Sequence, residues 1–384
     1  MSGMRIGLVI SGRYPRYESE VIPNGVVTYV RGEAKALSDR GHNVTVISRV
    51  SAKSSMDIWT IDGVRVVGLS YSSFGGFAEG VHRYVSTYRQ DVIEAHHIDY
   101  PLLLEQVLGD TPTVTRYASD LIDELYDSYR FDWLPSPVGD SFRQSGRSHL
   151  CGGLEQARRS AVVFCAGSVQ QQRLARLGIS SESLPLGIDY VVESAAGGES
   201  LLLIFVGRLS DSRKGGDFLP NLINAIDTGM WKEIVVVAEA NQEEITRFLS
   251  RVTARNVKVQ SRLSRESLLY LIDSAHCVLV PSRSESFGYV FLEPLARGKP
   301  VVAFRQKDVV KNTKWPIDFC EWEGDDSFSD LRRVFGRGFF SSSEKTRLSF
   351  ARGLLWSNLV ERYEELFNLA MVRHEKRWNE RFGG

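Results

Sequence analysis

Short apolar runs alternate with helix-spaced segments along almost the whole chain, and this alternation restricts the fold more than any other feature. Residues 5–10, 44–47, 64–69, 92–95, 113–116 and 162–165 read as strands. Between the first two, Val27, Val30, Ala34 and Leu37 recur at helical spacing over 26–40, and Gly41 ends the pattern. A segment of small and polar residues at 190–200 reads as a linker. A second series follows: strands at 201–206, 234–238, 257–259, 277–280 and 301–304, with helices at 218–226, 243–252, 266–274 and 289–297. Strand–helix–strand order of this kind predicts parallel sheets covered by helices on both faces. Two Rossmann-like halves are the expected architecture. The tail from 355 to 382 reads as one long amphipathic helix, with Leu355, Leu359, Tyr363, Leu366 and Phe367 on its apolar face. Such a helix is expected to return to the first domain.

A chain of 384 residues has room for two domains of ordinary size. Its zero formal net charge gives no support to a nucleic-acid partner, which a basic bias would signal. No run approaches the roughly 20 apolar residues of a membrane helix. The N-terminal apolar segment at 6–10 is shorter than a signal-peptide core of about 7–15 residues. Cys151, Cys165, Cys277 and Cys320 are far apart and form no CxxC pair, as in a reducing compartment. The expected location is the cytoplasm, with the inner face of the membrane compatible with it.

The chemistry-bearing residues gather where strands end. Glu285 and Glu293 stand eight positions apart, on either side of the turn from the 277–280 strand into a helix. Open α/β sheets bind ligands beyond the carboxyl ends of their strands. A helix start offers unpaired N–H groups that suit a phosphate. Carboxylates flanking it can accept hydrogen bonds from hydroxyls on both sides, though a lone Glu pair is more often two solvated charges. Arg208 follows the 201–206 strand and Lys214 comes shortly after; together they suit a leaving diphosphate, or are merely solvated loop cations. Asn24-Gly25 precedes a helix, either as a close-approach site or as an ordinary capped turn. His96 and His97 end the 92–95 strand, but adjacent strand residues point to opposite faces, so they are not expected to share a metal ion. The sequence has no P-loop, no GxSxG and no DxD triplet.

Taken together, these pieces resemble the family 4 glycosyltransferases, over nearly the whole chain. The resemblance is densest in Ser282-Arg283-Ser284-Glu285-Ser286-Phe287-Gly288-Tyr289-Val290-Phe291-Leu292-Glu293 and in the Gly298-Lys299-Pro300-Val301-Val302 that follows. Phe205-Val206-Gly207-Arg208-Leu209 with Lys214-Gly215, Pro23-Asn24-Gly25, Gly41-His42-Asn43-Val44, Leu186-Gly187-Ile188-Asp189, and Trp356 with Tyr363 are similar to further family segments. The resemblance implies a GT-B fold, two Rossmann-like domains facing a central cleft. Residues 1–190, joined by a C-terminal helix at 366–384, would bind the acceptor, and residues 191–365 the nucleotide sugar.

Implied roles follow residue by residue. Glu285 would face the donor sugar's hydroxyls, Glu293 would bind the ribose diol, and Arg208 and Lys214 would neutralise the diphosphate. His96 would lie near the sugar's 6-hydroxyl. Asn24, Gly25, Arg262, Ser286, Phe287, Gly288, Tyr289 and Val290 would complete the donor site. The family retains anomeric configuration and needs no metal or other cofactor for chemistry. A UDP-sugar is favoured over a GDP-sugar as donor. The acceptor would be a carbohydrate, a lipid-linked glycan or a small molecule, bound by loops at 11–24, 75–80 and 126–147, with no nucleic acid involved. Peripheral membrane contact would accompany a lipid-linked acceptor. Cell-surface glycan biosynthesis is the expected setting. The chain departs from the family pattern at Asn24, at Leu186, at Ala238-Glu239-Ala240 where Gly-x-Gly is usual, and at Pro294, whose ring and missing N–H disturb a helix. A sugar-nucleotide epimerase of the same fold, and a catalytically degenerate sugar-nucleotide-binding subunit, stand as alternatives.

Overall fold

The computed structural model describes residues 3–10, 12–17, 20, 25–50, 56–70, 74–96, 111–117, 153–193, 200–211, 214–226, 228–261, 263–283, 285, 287–304, 315–321, 328–336 and 340–382. These fall into two compact units. One holds 3–117, 153–189 and 354–382; the other holds 190–353.

The first unit is built on β1 (Arg5–Ile10), β2 (Asn43–Val50), β3 (Met56–Ile61), β4 (Val64–Ser70), β5 (Val92–His96), β6 (Thr113–Tyr117), β7 (Val162–Cys165) and β8 (Glu182–Ser183). They lie in the order β3-β4-β2-β1-β5-β6-β7-β8. All pairings are parallel except β3 with β4. That hairpin has no counterpart in the sequence reading. It turns at Asp62-Gly63, both at positive φ, as a tight two-residue hairpin requires. Helix α1 (Gly25–Asp39) buries Val27, Val30, Ala34 and Leu37, the stripe its spacing predicts. Helix α2 (Phe74–Thr87) packs Phe77, Val81 and Val85 beneath the sheet, so the expected 75–80 loop is helical. The expected 126–147 acceptor loop lies outside the described residues.

The second unit carries β9 (Leu201–Arg208), β10 (Glu233–Glu239), β11 (Val257–Gln260), β12 (Cys277–Val280), β13 (Val301–Phe304) and β14 (Asp318–Cys320). Their order is β11-β10-β9-β12-β13-β14, all parallel. The chain winds outward from β9 in one direction and then, from β12, in the other. The crevice between β9 and β12 is therefore a topological switch point, where such sheets bind ligands. Around it lie helices α3 (Arg265–Ser274), which follows β11, and α4 (Tyr289–Leu295), which follows β12.

The tail forms α5 (Trp356–Phe382) and belongs to the first unit. The return comes at Leu354, earlier than the expected 366, because Trp356 is already part of that unit's core. Its indole lies against Gly32 and Gly187, where an added Cβ would sit 2.1 and 2.4 Å from the ring. Backbone bonds from Ile188 N to Leu354 O and from Trp356 N to Ile188 O, 2.8 and 3.0 Å, fix the same point. No helix among the described residues is long and apolar enough to cross a membrane.

Candidate functional site

In the second unit, the carboxyl ends of three adjacent strands bring together most of the residues singled out by the sequence. β9 ends in Arg208, β10 in Glu239, and β12 leads through Pro281 and Ser282 to Glu285. A bulge sets the first of these. Val237 pairs with Phe205 but Ala238 pairs with Gly207, so β9 carries one extra residue there. Gly207 takes φ +73, a conformation that suits glycine. The shift puts Arg208 opposite Glu239, and Arg208 Nε donates to Glu239 Oε2 at 3.2 Å. Both side chains are exposed.

Lys214 and Glu285 meet directly. The ammonium donates to Glu285 Oε1 at 2.8 Å, and Ser282 Oγ donates to the same oxygen at 2.7 Å. The glutamate side chain is only 12% exposed and the lysine 30%. Gly215, at φ +82, makes this approach possible: an added Cβ would stand 2.5 Å from the Pro281 carbonyl oxygen. Beneath the loop, Arg283 pairs with Asp217 at 2.7 Å and stacks over the Phe218 ring at 4.5 Å.

Helix α4 opens at Gly288, whose φ of +83 is left-handed, and no side chain caps its first turn. An added Cβ at Gly288 would stand 2.3 Å from the Phe291 ring. Phe287 is buried against Tyr289 and Trp315, each 5.7 Å away between ring centroids. Val290 is half-buried in the first turn. Pro294 lies inside α4, which stops at Leu295, two residues short of the expected 297; the Pro294 carbonyl accepts from the N–H groups of Arg297 and Lys299. Glu293 lies just before it and is bound by Arg265 of α3. Arg265 has no place in the sequence reading. The nearby Arg262, together with Ser286 and Asn24, lies outside the described residues.

Gly25 and His96 belong to the first unit. Gly25 is the exposed first residue of α1, with open space where a Cβ would go. His96 corrects the sequence reading. It is the last residue of β5 and has no exposed surface, so it does not present its imidazole to a ligand. Its side chain is enclosed by Glu33 and Tyr29 from α1, Glu94 from β5 and Arg116 from β6. Arg116 Nε donates to Glu94 Oε1 at 2.6 Å, and Arg116 Nη2 lies 3.7 Å from Glu33 Oε1. The guanidinium also covers the Phe164 ring at 5.0 Å and the Tyr363 ring at 4.7 Å.

Burial and the Glu94 charge hold Glu33 well above the usual carboxylate range. Burial also works against ionisation of Glu94, but Arg116 overcomes it and lowers Glu94. Burial pushes His96 down to about 4. The consistent state is one ion pair, Arg116 with Glu94, beside a protonated Glu33 and a neutral His96. Glu33, Glu94 and His96 are close enough to share a metal ion, but the Arg116 guanidinium already supplies the positive charge there. The sequence signal for this cluster was a charge inside each of three apolar patterns: Glu33 on the buried face of α1, Glu94 within β5 and Arg116 within β6.

The edge of the second unit can hold an anion between two cations and present two carboxylates to hydroxyls. Residues 23–190 match the family model described as Glycosyltransferase Family 4, and residues 200–317 match the model described as Glycosyl transferases group 1. The phosphatidyl-myo-inositol mannosyltransferase of Mycobacterium tuberculosis is 23% identical over 322 residues, covering 78% of this chain and 77% of that protein. The glycogen synthase of the same species is 24% identical over 339 residues, with the same two coverages. Among solved structures, sucrose-phosphate synthase from Thermosynechococcus elongatus superposes with a TM-score of 0.71 at 16% identity, over 94% of this chain and 98% of that one. HepE from Anabaena in complex with UDP-glucose gives 0.68 at 14% identity, over 95% and 99%.

Proposed function

The chain belongs to the family 4 glycosyltransferases and has the GT-B fold, and on that premise we propose that it moves one sugar from a nucleoside diphosphate sugar to an acceptor hydroxyl. The observation that carries this reading is the Lys214–Glu285 contact at the β9/β12 switch point, with Arg208 at the adjoining strand end. A diphosphate at this edge gives Lys214 a new anionic partner. Glu285 is then released toward the donor sugar's hydroxyls while Ser282 keeps hold of its Oε1. Arg208 is shared between Glu239 and the same diphosphate. Two cations at the leaving group do the work that a bound metal does elsewhere, so the chemistry asks for no metal and no other cofactor. Glu293 takes the ribose diol. Within the second unit, Phe287, Gly288, Tyr289 and Val290 surround the donor.

The donor is a UDP-sugar in preference to a GDP-sugar, a reading in keeping with the UDP-glucose in the HepE complex. Transfer retains anomeric configuration, with the leaving phosphate oxygen taking the acceptor proton on the same face. The first unit binds the acceptor. The name of the mycobacterial mannosyltransferase favours a lipid-linked acceptor, reached by peripheral contact at the cytoplasmic face of a membrane, in glycan or glycoconjugate biosynthesis.

A panel of nucleotide sugars read by thermal shift identifies the donor, because a ligand that binds only the folded state raises its apparent stability. With that donor, Lys214→Met and Arg208→Met should each lower turnover about 10²–10³-fold, the worth of one well-placed electrostatic donor. Near-wild-type turnover in both variants refutes the assignment. The anomeric proton of the product, followed by NMR from the first turnover, separates retention from inversion.

A further inference from the structure

Among the described residues, Glu293 is held from one side only. Its Oε1 accepts from Arg265 Nη1, and among the described residues no hydrogen bond reaches Oε2. The glutamate side chain is nevertheless only 11% exposed. Arg265 is itself firmly placed. It is the first residue of α3, directly after Ser264, whose hydroxyl caps the Ser267 N–H at 3.1 Å. A second ion pair, Asp273 with Arg297, joins α3 to the segment just beyond α4. The two helices therefore cannot slide past each other without breaking both pairs. The Tyr190 phenol stands beside Arg265 and Arg297 on the same side.

We propose that Arg265 is a positioning residue for the nucleoside half of the donor. It fixes the Glu293 carboxylate so that Oε2 alone faces the ribose hydroxyls. This rests on the reading that Glu293 binds the ribose diol. A guanidinium suits the task better than an ammonium: its N–H groups point in fixed directions, so the single bond to Oε1 is directional, whereas a lysine supplies charge without orientation. A carboxylate oxygen accepts, as two donating hydroxyls require.

The test compares binding of UDP and 2′,3′-dideoxy-UDP (or the guanosine pair, if GDP binds tighter) in wild type, E293Q, R265Q and R265K. Wild type should prefer the ribonucleotide, and E293Q should lose that preference. R265Q should shrink it roughly tenfold, as expected for a misaligned hydrogen bond to a charged group. R265K should fall between R265Q and wild type. A merely structural link between helices would lower the unfolding temperature of R265Q and leave the preference intact. That outcome, with E293Q still losing the preference, overturns the proposal. An undiminished preference in E293Q overturns the ribose reading instead. If R265Q does not fold, R265K decides: a preference equal to wild type counts against Arg265.

Discussion

Arg116→Met removes the only cation among the described residues of the buried cluster in the first unit. The consequence can be worked out from the neighbours. Arg116, Glu94 and Glu33 are each at most 1% exposed, so water cannot replace a lost partner. Glu94 loses its 2.6 Å charge-assisted bond, and two aromatic faces lose their cation. Leaving one member of a buried ion pair unpaired costs about 3–5 kcal/mol. The loss of two cation–π contacts adds to this, and methionine's sulfur, which also packs well on aromatic rings, offsets part of it. For a unit of this size, each kcal/mol moves the midpoint by about 2–4 °C, so thermal unfolding at pH 7 should shift down by roughly 6–20 °C. The double variant Arg116→Met/Glu94→Gln removes both charges and should recover much of the loss, because neutral replacement of a buried pair is tolerated far better than half-removal. A loss below about 1 kcal/mol in the single variant, or a double variant no more stable than the single, refutes the charge assignment.

Three further outcomes follow from the same geometry. His96 titrates at about 4 when folded against an ordinary value of 6.5, so its contribution is complete above pH 6.5 and is lost as pH falls toward 4, by about 3 kcal/mol. His96→Gln should flatten that acid limb in a pH series of unfolding midpoints; an unchanged limb means another group titrates. Glu33 has the opposite sign: its folded value is raised, so stability is complete below the ordinary carboxylate range and declines as pH rises. Glu33→Gln should therefore stabilise the protein at pH 7–8 more than at pH 4, and equal effects at both count against a protonated Glu33. Gly215→Ala forces a Cβ toward the Pro281 carbonyl oxygen at positive φ, which costs about 1–2 kcal/mol and displaces Lys214 from Glu285. Transfer should fall well beyond what that stability loss explains. Gly178→Ala, at φ +72 with open space around it, should lower stability alone.

Both Rossmann-like units were legible because buried parallel strands are short continuous apolar runs, and 162–165, 277–280 and 301–304 emerge with the bounds their composition gives. The β3–β4 hairpin was missed although Asp62-Gly63 is a strong hairpin dipeptide. β3 is an edge strand with alternating exposure, and Met56-Asp57-Ile58-Trp59 lacks the unbroken apolar run of its neighbours. The site divided in a similar way. Lys214 and Glu285 are far apart in sequence, yet each sits just past a strand end, and the sheet order brings those ends together. Arg265 was illegible because nothing local distinguishes it from other helix-start arginines; only its partner on α4 does. His96 misled the reading because a strand-end histidine looks exposed in sequence. Its enclosure depends on Glu33 and Arg116, which arrive from elements 63 residues before it and 20 after it.

The return of the tail to the first unit has a consequence for synthesis. Tyr363, Phe367 and Trp356 complete a core whose other walls, Phe164, Gly32 and Arg116, leave the ribosome much earlier. Domains generally fold as they emerge, the N-terminal one first. In this chain the order is reversed at the last step. Residues 190–353 hold a complete sheet and can finish folding while translation continues. The N-terminal unit must wait, with the apolar floor for α5 uncovered, until residues 356–382 have emerged. A chain interrupted before α5 would then leave incomplete the unit that was made first.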